Sequence, residues 1–103
     1  MQKEIIDFIE KFKFKHREEL EYVFLNGNCY FFALILCERF KNAKVKLMQI
    51  ENHFVTEIEG RLYDIRGDVT EICSVPDLID FDDLEKSDPT YYKRLKRDCF
   101  YKV

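Results

Sequence analysis

Three residues whose side chains can carry out acyl chemistry together are spread along the chain: Cys29, His53 and Asp64. A thiol attacks as its thiolate, so a nucleophilic cysteine needs a pKa below its usual value of about 8.5. The positive end of a helix dipole lowers that pKa, and so does a histidine that accepts the proton. A carboxylate beside the histidine orients the ring and stabilises its charged form. The three side chains would form a nucleophile, a base and an orienting acid if the fold brings them together.

Cys29 lies in residues 26–36, NGNCYFFALIL, where a short polar turn meets an apolar run. A cysteine there could be a packing residue, a metal ligand or a nucleophile. We expect Asn28 to cap a helix that runs from Cys29 to about Phe40, its side chain accepting an unpaired backbone N–H. The first two turns carry no polar group except the Tyr30 hydroxyl, which predicts a central helix buried on most sides.

His53 and Asp64 fall in a part of the chain that alternates apolar and polar residues. Residues 44–50, 53–58 and 61–66 read as three strands of an antiparallel meander, with Glu51-Asn52 able to form the first turn and Glu59-Gly60 a two-residue hairpin loop for the second.

With that loop, paired positions of the second and third strands sum to 119, so Asp64 faces Val55. His53 then lies on the same face and diagonal to Asp64, about 7–8 Å away at the backbone. A loop one residue longer or shorter would put the two on opposite faces. In that case His53 would be satisfied by a backbone carbonyl, and Asp64 would pair with Arg66 or Arg61.

The flanking segments predict helices around this core. Residues 2–13 have an amphipathic helical pattern, and a second helix over 16–25 should end at Asn26-Gly27. Residues 79–86 could form a helical turn, and Asp88-Pro89 is a typical helix start for a last helix through about Cys99. The sequence therefore predicts one α+β domain over residues 1–103.

Composition limits the function classes. The chain is 47% hydrophobic and 36% charged, which is typical of a folded protein, and its net charge of −3 gives no general attraction to nucleic acid or anionic membrane. The charged N-terminus lacks a signal-peptide core, and no apolar stretch approaches the roughly 20 residues of a membrane span. We therefore predict a cytoplasmic protein with free thiols. The four cysteines contain no C-x-x-C pair, so we predict no metal site.

Residues 27–33, GNCYFFA, resemble the G-x-C-[WY]-x-F-[AS] segment of papain-like cysteine peptidases and transglutaminases. In that superfamily the cysteine begins a buried helix, and the histidine and an Asp or Asn follow on successive strands. Cys29, His53 and Asp64 have the same order, and the transglutaminase-like branch, which uses Asp, is the closer match. The resemblance implies a nucleophile helix packed on a three-stranded antiparallel meander with helices at both ends.

Two features depart from that superfamily. Papain-like enzymes place a Gln upstream of the cysteine to form the oxyanion hole, and no Gln lies near Cys29. Asn26 or Asn28 would have to serve instead, together with the Cys29 backbone N–H, and Tyr30 would lie beside the site as a packing residue. The chain is also much shorter than typical members, which implies a reduced or absent substrate-binding subdomain.

The resemblance implies cysteine-dependent acyl transfer or hydrolysis of an amide or ester in a protein or peptide, without metal or organic cofactor. Peptidase, amidase and transglutaminase activities all remain open. The alternative is a non-catalytic binding protein or inhibitor on the same scaffold, such as phages and mobile elements carry. Nucleic-acid binding through the basic cluster at residues 93–97 ranks last, because such a helix face is usually solvated. No residue pattern indicates the oligomeric state.

Overall fold

The computed structural model describes residues 2–26, 28–48, 53–73 and 78–101, without the side chains of 96 and 98–101. These residues form five α-helices, one 3-10 helix and five antiparallel strands, which confirms the predicted α+β class. The elements are α1 (Gln2–Lys13), α2 (Arg17–Leu25), α3 (Cys29–Arg39), β1 (Lys44–Met48), β2 (His53–Ile58), β3 (Arg61–Asp64), β4 (Gly67–Asp68), the 3-10 helix (Thr70–Ile72), β5 (Leu78–Asp80), α4 (Phe81–Ser87) and α5 (Pro89–Tyr101).

The strands form one sheet in the order β4-β3-β2-β1-β5. The predicted meander is its centre. Ile58 lies opposite Arg61 and Thr56 opposite Tyr63, which is the predicted register. The loop between β2 and β3 has φ angles of 50° at Glu59 and 81° at Gly60. Two left-handed residues are what a type I′ hairpin turn requires, and that turn follows the natural twist of the strands.

The two edge strands were not predicted. β4 has two residues and β5 has three, which is too few for alternation to be visible in the sequence. β5 also replaces the first part of the helical turn predicted over 79–86, and α4 begins only at Phe81, where Asp80 caps it by accepting the Asp82 N–H at 3.0 Å. Residues 49–50, the Glu51-Asn52 turn and Gly27 lie outside the described residues.

The predicted buried helix is confirmed as α3. One side packs with α1 and β3 around Ile9, Phe32 and Tyr63. The other packs with β2 and α4 around Tyr30 and Phe81. Burying apolar surface on several sides is what holds a helix of this composition in place. The first residue of α3 is thereby fixed against the start of β2.

The ends of the other helices follow local capping rules. α1 has the predicted bounds, and α2 begins one residue later than predicted because His16 is its N-cap. Asp88 ends α4 and starts α5, where its Oδ1 accepts the Tyr91 N–H at 3.2 Å. The predicted Asp-Pro helix start is therefore confirmed.

Candidate active site

His53 and Asp64 meet through their side chains. The distance from His53 Nε2 to Asp64 Oδ2 is 3.0 Å, and the side chains are 13% and 3% exposed. The two-residue turn sets this contact, since it places Asp64 one pair beyond Thr56 and Tyr63 and therefore diagonal to His53.

Asp64 also binds Arg66, two residues further on. Its Oδ1 accepts the Arg66 backbone N–H at 2.8 Å, and its Oδ2 accepts Nη2 at 2.6 Å. Burial by itself raises the pKa of Asp64, but hydrogen bonds from His53 and Arg66 outweigh burial and hold the pKa below its usual value. Asp64 is therefore a carboxylate. The sequence offered His53, Arg66 and Arg61 as alternative partners; Asp64 binds the first two at once, and Arg61 binds Asp68 and Glu71.

Cys29 is the first residue of α3 and is 8% exposed. Its Sγ accepts a hydrogen bond from the backbone N–H of Phe54 at 3.4 Å. Burial raises the pKa of the thiol, but hydrogen bonds with His53 and with the Phe54 N–H outweigh burial, so the pKa lies below its usual value. β2 thus offers the thiolate a backbone donor from Phe54 and a side-chain partner from the residue before it.

His53 completes the arrangement. Burial disfavours its charged form, but hydrogen bonds with Asp64 and Cys29 raise its pKa to about 9. Because Nε2 faces Asp64, Nδ1 is the ring nitrogen left for Cys29. The lowered thiol pKa and the raised imidazole pKa both favour a thiolate–imidazolium pair over the neutral pair.

A family model described as Phage YunG-like protein matches residues 5–99. The chain belongs to this family. The matched region contains Cys29, His53 and Asp64. No curated protein and no solved structure matches the chain.

Asn26 and Asn28 bind the end of α2. The Asn26 amide donates to the Tyr22 carbonyl at 2.7 Å, and the Asn28 amide donates to the Val23 carbonyl at 3.3 Å. The prediction that the Asn28 side chain caps α3 is wrong: Asn28 stands at the N-cap position, but its side chain accepts no N–H there. The carbonyls at the end of α2 need donors, and Asn28 supplies one. Each of these bonds uses one of the two N–H donors of its amide.

Tyr30 supports the site from within the core. It is buried, and its ring centroid lies 5.1 Å from that of Phe54 and 5.4 Å from that of Phe81. These aromatic contacts hold Phe54, whose N–H binds the Cys29 sulfur. Tyr30 is thus a packing residue beside the site.

The remaining candidate groups lie elsewhere. The His16 side chain is 69% exposed and contacts Glu19, as expected of a surface histidine. Cys37 is partly buried on α3, and burial raises its pKa. Among the described residues no group of three or more His, Cys, Asp or Glu side chains could hold a metal ion. Within the same residues no single helix is long and apolar enough to cross a membrane; α2 and α3 pass that test only as a sharply bent pair.

Two features of the site were not predicted from the sequence. The first is the Phe54 N–H, since a backbone donor leaves no trace in residue types. The second is that Arg66 binds Asp64 while Asp64 binds His53. The Asp-x-Arg spacing was a usable signal for it, because an Asp side chain often accepts the N–H two residues further on.

Proposed function

We propose that the protein catalyses cysteine-dependent acyl transfer or hydrolysis of an amide or ester bond. Cys29 is the nucleophile, His53 the base and then the acid, and Asp64 the residue that orients the ring. The observation that carries the proposal is the 3.0 Å contact from His53 Nε2 to Asp64 Oδ2, in a ring whose pKa Cys29 also raises. A buried carboxylate, an imidazolium and a thiolate in this order are what acyl transfer requires.

In the first half of the reaction the Cys29 thiolate attacks the carbonyl carbon, a C–S bond forms, and the π electrons move to the oxygen. The Cys29 backbone N–H, which has no intrahelical partner at the first turn of α3, is our proposed donor to that oxyanion. When the intermediate collapses, the C=O bond re-forms and the C–N or C–O bond to the leaving group breaks. The leaving amine or alcohol takes the proton from the His53 imidazolium, and a thioester remains.

In the second half water or an amine attacks the thioester. His53 accepts the proton of the attacking group, and the Cys29 thiolate leaves. With water the reaction is hydrolysis, and with an amine it is transfer. Both use the same three side chains and need no metal or organic cofactor.

We further propose that the domain has a papain-like or transglutaminase-like core. The order of the three residues along the chain and the position of Cys29 at the start of the buried α3 support this. An Asp rather than an Asn as third member favours the transglutaminase-like branch. By the same proposal the substrate is a protein or peptide in the cytoplasm.

The test is the pH dependence of iodoacetamide alkylation at Cys29, resolved by mass spectrometry. We expect Cys29 to react well below pH 7, and we expect His53→Ala to move its reactivity toward pH 8.5. His16→Ala is the matched control, because His16 lies on the surface away from Cys29, and Cys37 is an internal reference thiol. If wild-type Cys29 reacts only near pH 8.5, the thiolate–imidazolium pair does not exist and the proposal fails.

A second candidate is a non-catalytic binding protein or inhibitor on the same scaffold. Two observations favour it: Cys29 is only 8% exposed, and the Asn26 and Asn28 amides are held by α2. The family description, Phage YunG-like protein, is compatible with a binding protein or inhibitor of the kind that phages carry. A p-nitrophenyl ester separates the candidates. A burst of one p-nitrophenolate per chain that Cys29→Ala abolishes supports the enzyme, and no burst from a correctly folded protein supports the binder.

A further inference from the structure

We infer that Arg66 is a positioning residue of the site, which holds the Asp64 carboxylate in the one orientation that aligns His53 with Cys29. This inference rests on the proposed function. Arg66 contacts Asp64, and Asp64 contacts His53, so Arg66 acts on the reacting groups through Asp64.

The contacts between Arg66 and Asp64 fix both carboxylate oxygens. Arg66 Nε lies 3.2 Å from Oδ1 and 3.1 Å from Oδ2, and Nη2 lies 2.6 Å from Oδ2. The Arg66 backbone N–H adds a bond of 2.8 Å to Oδ1. Oδ2 is also the oxygen that accepts from His53. A planar guanidinium fork determines the plane of a carboxylate, which a single donor does not.

Burial makes this support necessary. Asp64 is only 3% exposed, and a buried carboxylate is costly unless it is paired and hydrogen-bonded. Without the guanidinium, Asp64 would take up a proton more readily or turn toward water. Either change weakens the bond to the His53 imidazolium, and the imidazolium in turn stabilises the Cys29 thiolate.

The titratable groups that act on Asp64 come from several elements. His53 of β2 and Arg66 act on Asp64 directly, and Cys29 at the start of α3 acts on His53. Glu21 of α2 is close enough to Asp64 for their charges to interact. Lys13 of α1 forms an ion pair with Glu21. The negative charge of Glu21 disfavours the charged form of Asp64. The Arg66 guanidinium, which contacts Asp64 directly, is therefore needed to stabilise that form.

Arg61 supplies a matched control on the same hairpin. Its Nε lies 2.8 Å from Asp68 Oδ2 and its Nη2 lies 3.1 Å from Glu71 Oε1, so it makes contacts of the same kind as Arg66. Its carboxylate partners have no contact with His53 among the described residues. Arg61→Gln therefore removes a similar ion pair without touching the site.

The experiment measures Cys29 alkylation from pH 5 to 10 in wild type, Arg66→Gln and Arg61→Gln. We expect Arg66→Gln to raise the pH at which Cys29 becomes reactive by about one unit, so that the alkylation rate below the thiol pKa falls about tenfold. Arg61→Gln should keep the wild-type profile. A profile of Arg66→Gln that is unchanged or shifted to lower pH overturns the inference.

Two further measurements keep the inference testable if Arg66→Gln does not fold. Arg66→Lys keeps the charge but has a single donor nitrogen. We therefore expect its alkylation profile to lie between those of wild type and Arg66→Gln. In the wild type, the NMR signal of Arg66 Nε–H should shift as His53 titrates, and a signal that stays constant overturns the inference. If wild-type Cys29 already lacks reactivity below pH 7, the proposed function fails; if it has that reactivity and Arg66→Gln leaves it unchanged, only the role of Arg66 fails.

Discussion

His53 Nε2 and Asp64 Oδ2 lie 3.0 Å apart although 11 positions separate the residues along the chain. The contact depends on the type I′ turn at Glu59-Gly60, which places both side chains on one face of the β2–β3 hairpin. The same hairpin supplies the Phe54 N–H to Cys29. The geometry of one short turn therefore decides whether His53 and Asp64 meet.

Replacing Asp64 by Asn should raise the pKa of Cys29. Asn keeps the size of the side chain and an oxygen for His53 Nε2–H, but it removes the charge that stabilises the imidazolium. We expect the alkylation rate of Cys29 at pH 6 to fall about tenfold, equivalent to one pKa unit. Asp68→Asn, a carboxylate on the neighbouring β4 that pairs with Arg61, is the control. Equal profiles for the two variants would remove Asp64 from the site.

The pH dependence of stability should differ between wild type and Cys29→Ala. In Cys29→Ala we expect His53 to keep its bond to Asp64, which raises the His53 pKa in wild type, and therefore to keep a folded-state pKa above the unfolded value of 6.5. A raised pKa stabilises the folded state below pH 6.5, and that contribution is lost as the pH rises through the folded-state value. The free energy of unfolding then falls by at most about 1.4 kcal/mol per pH unit, because one proton is involved.

In wild type the free energy of unfolding should change little over the same pH range. The folded state binds one extra proton on His53 but releases one from Cys29, so the folded and unfolded states hold equal numbers of protons while the pair exists. Urea unfolding at pH 6.5, 7.5 and 8.5 measures both slopes. Parallel slopes in the two proteins would mean that Cys29 stays protonated.

Replacing Glu59 by Asn should stabilise the hairpin. Glu59 has a φ of 50°, and Asn adopts this left-handed conformation at lower cost than Glu. We expect a gain of about 0.5 kcal/mol in the free energy of unfolding. Gly60→Ala, at a φ of 81° with free space around the added Cβ, should lose about 1 kcal/mol. Chemical denaturation checks both, and two changes of the same sign would contradict the turn assignment.

The ion pair between Lys13 and Glu21 should matter for stability. The Lys13 side chain is fully buried, with Nζ 2.8 Å from Glu21 Oε2 and 3.9 Å from Glu10. Glu21→Gln leaves a buried ammonium with one distant partner, so we expect a loss of about 2 kcal/mol. Glu19→Gln, at an exposed position of the same helix, should change the stability by less than about 0.5 kcal/mol.

Lys13→Met tests the same pair from the other side. Met removes the charge from the core and keeps the length of the side chain, so we expect little loss or a gain in the free energy of unfolding. Urea denaturation of Lys13→Met and of the double variant with Glu21→Gln measures this. A loss in the double variant as large as in Glu21→Gln alone would show that the ammonium is not the cause.

Features that depend on neighbouring residues could be predicted along the chain. The apolar spacing of residues 2–13 gave the bounds of α1, Asp88-Pro89 the start of α5, and Glu59-Gly60 the turn and register of β2 and β3. Periodicity and turn chemistry act over a few residues, so they can be read along the chain. Through the register, the contact between His53 and Asp64 was predictable as well.

Contacts between distant parts of the chain follow from the packing of the helices on the sheet. The packing of α3 on β2 brings the Phe54 N–H to Cys29, and the closeness of α2 takes the Asn28 amide away from the cap of α3. The burial of Lys13, on a helix whose polar residues were expected to face water, follows from the position of Glu21. These outcomes depend on which surfaces are buried against each other, and burial sets the cost of every unpaired charge and hydrogen-bonding group.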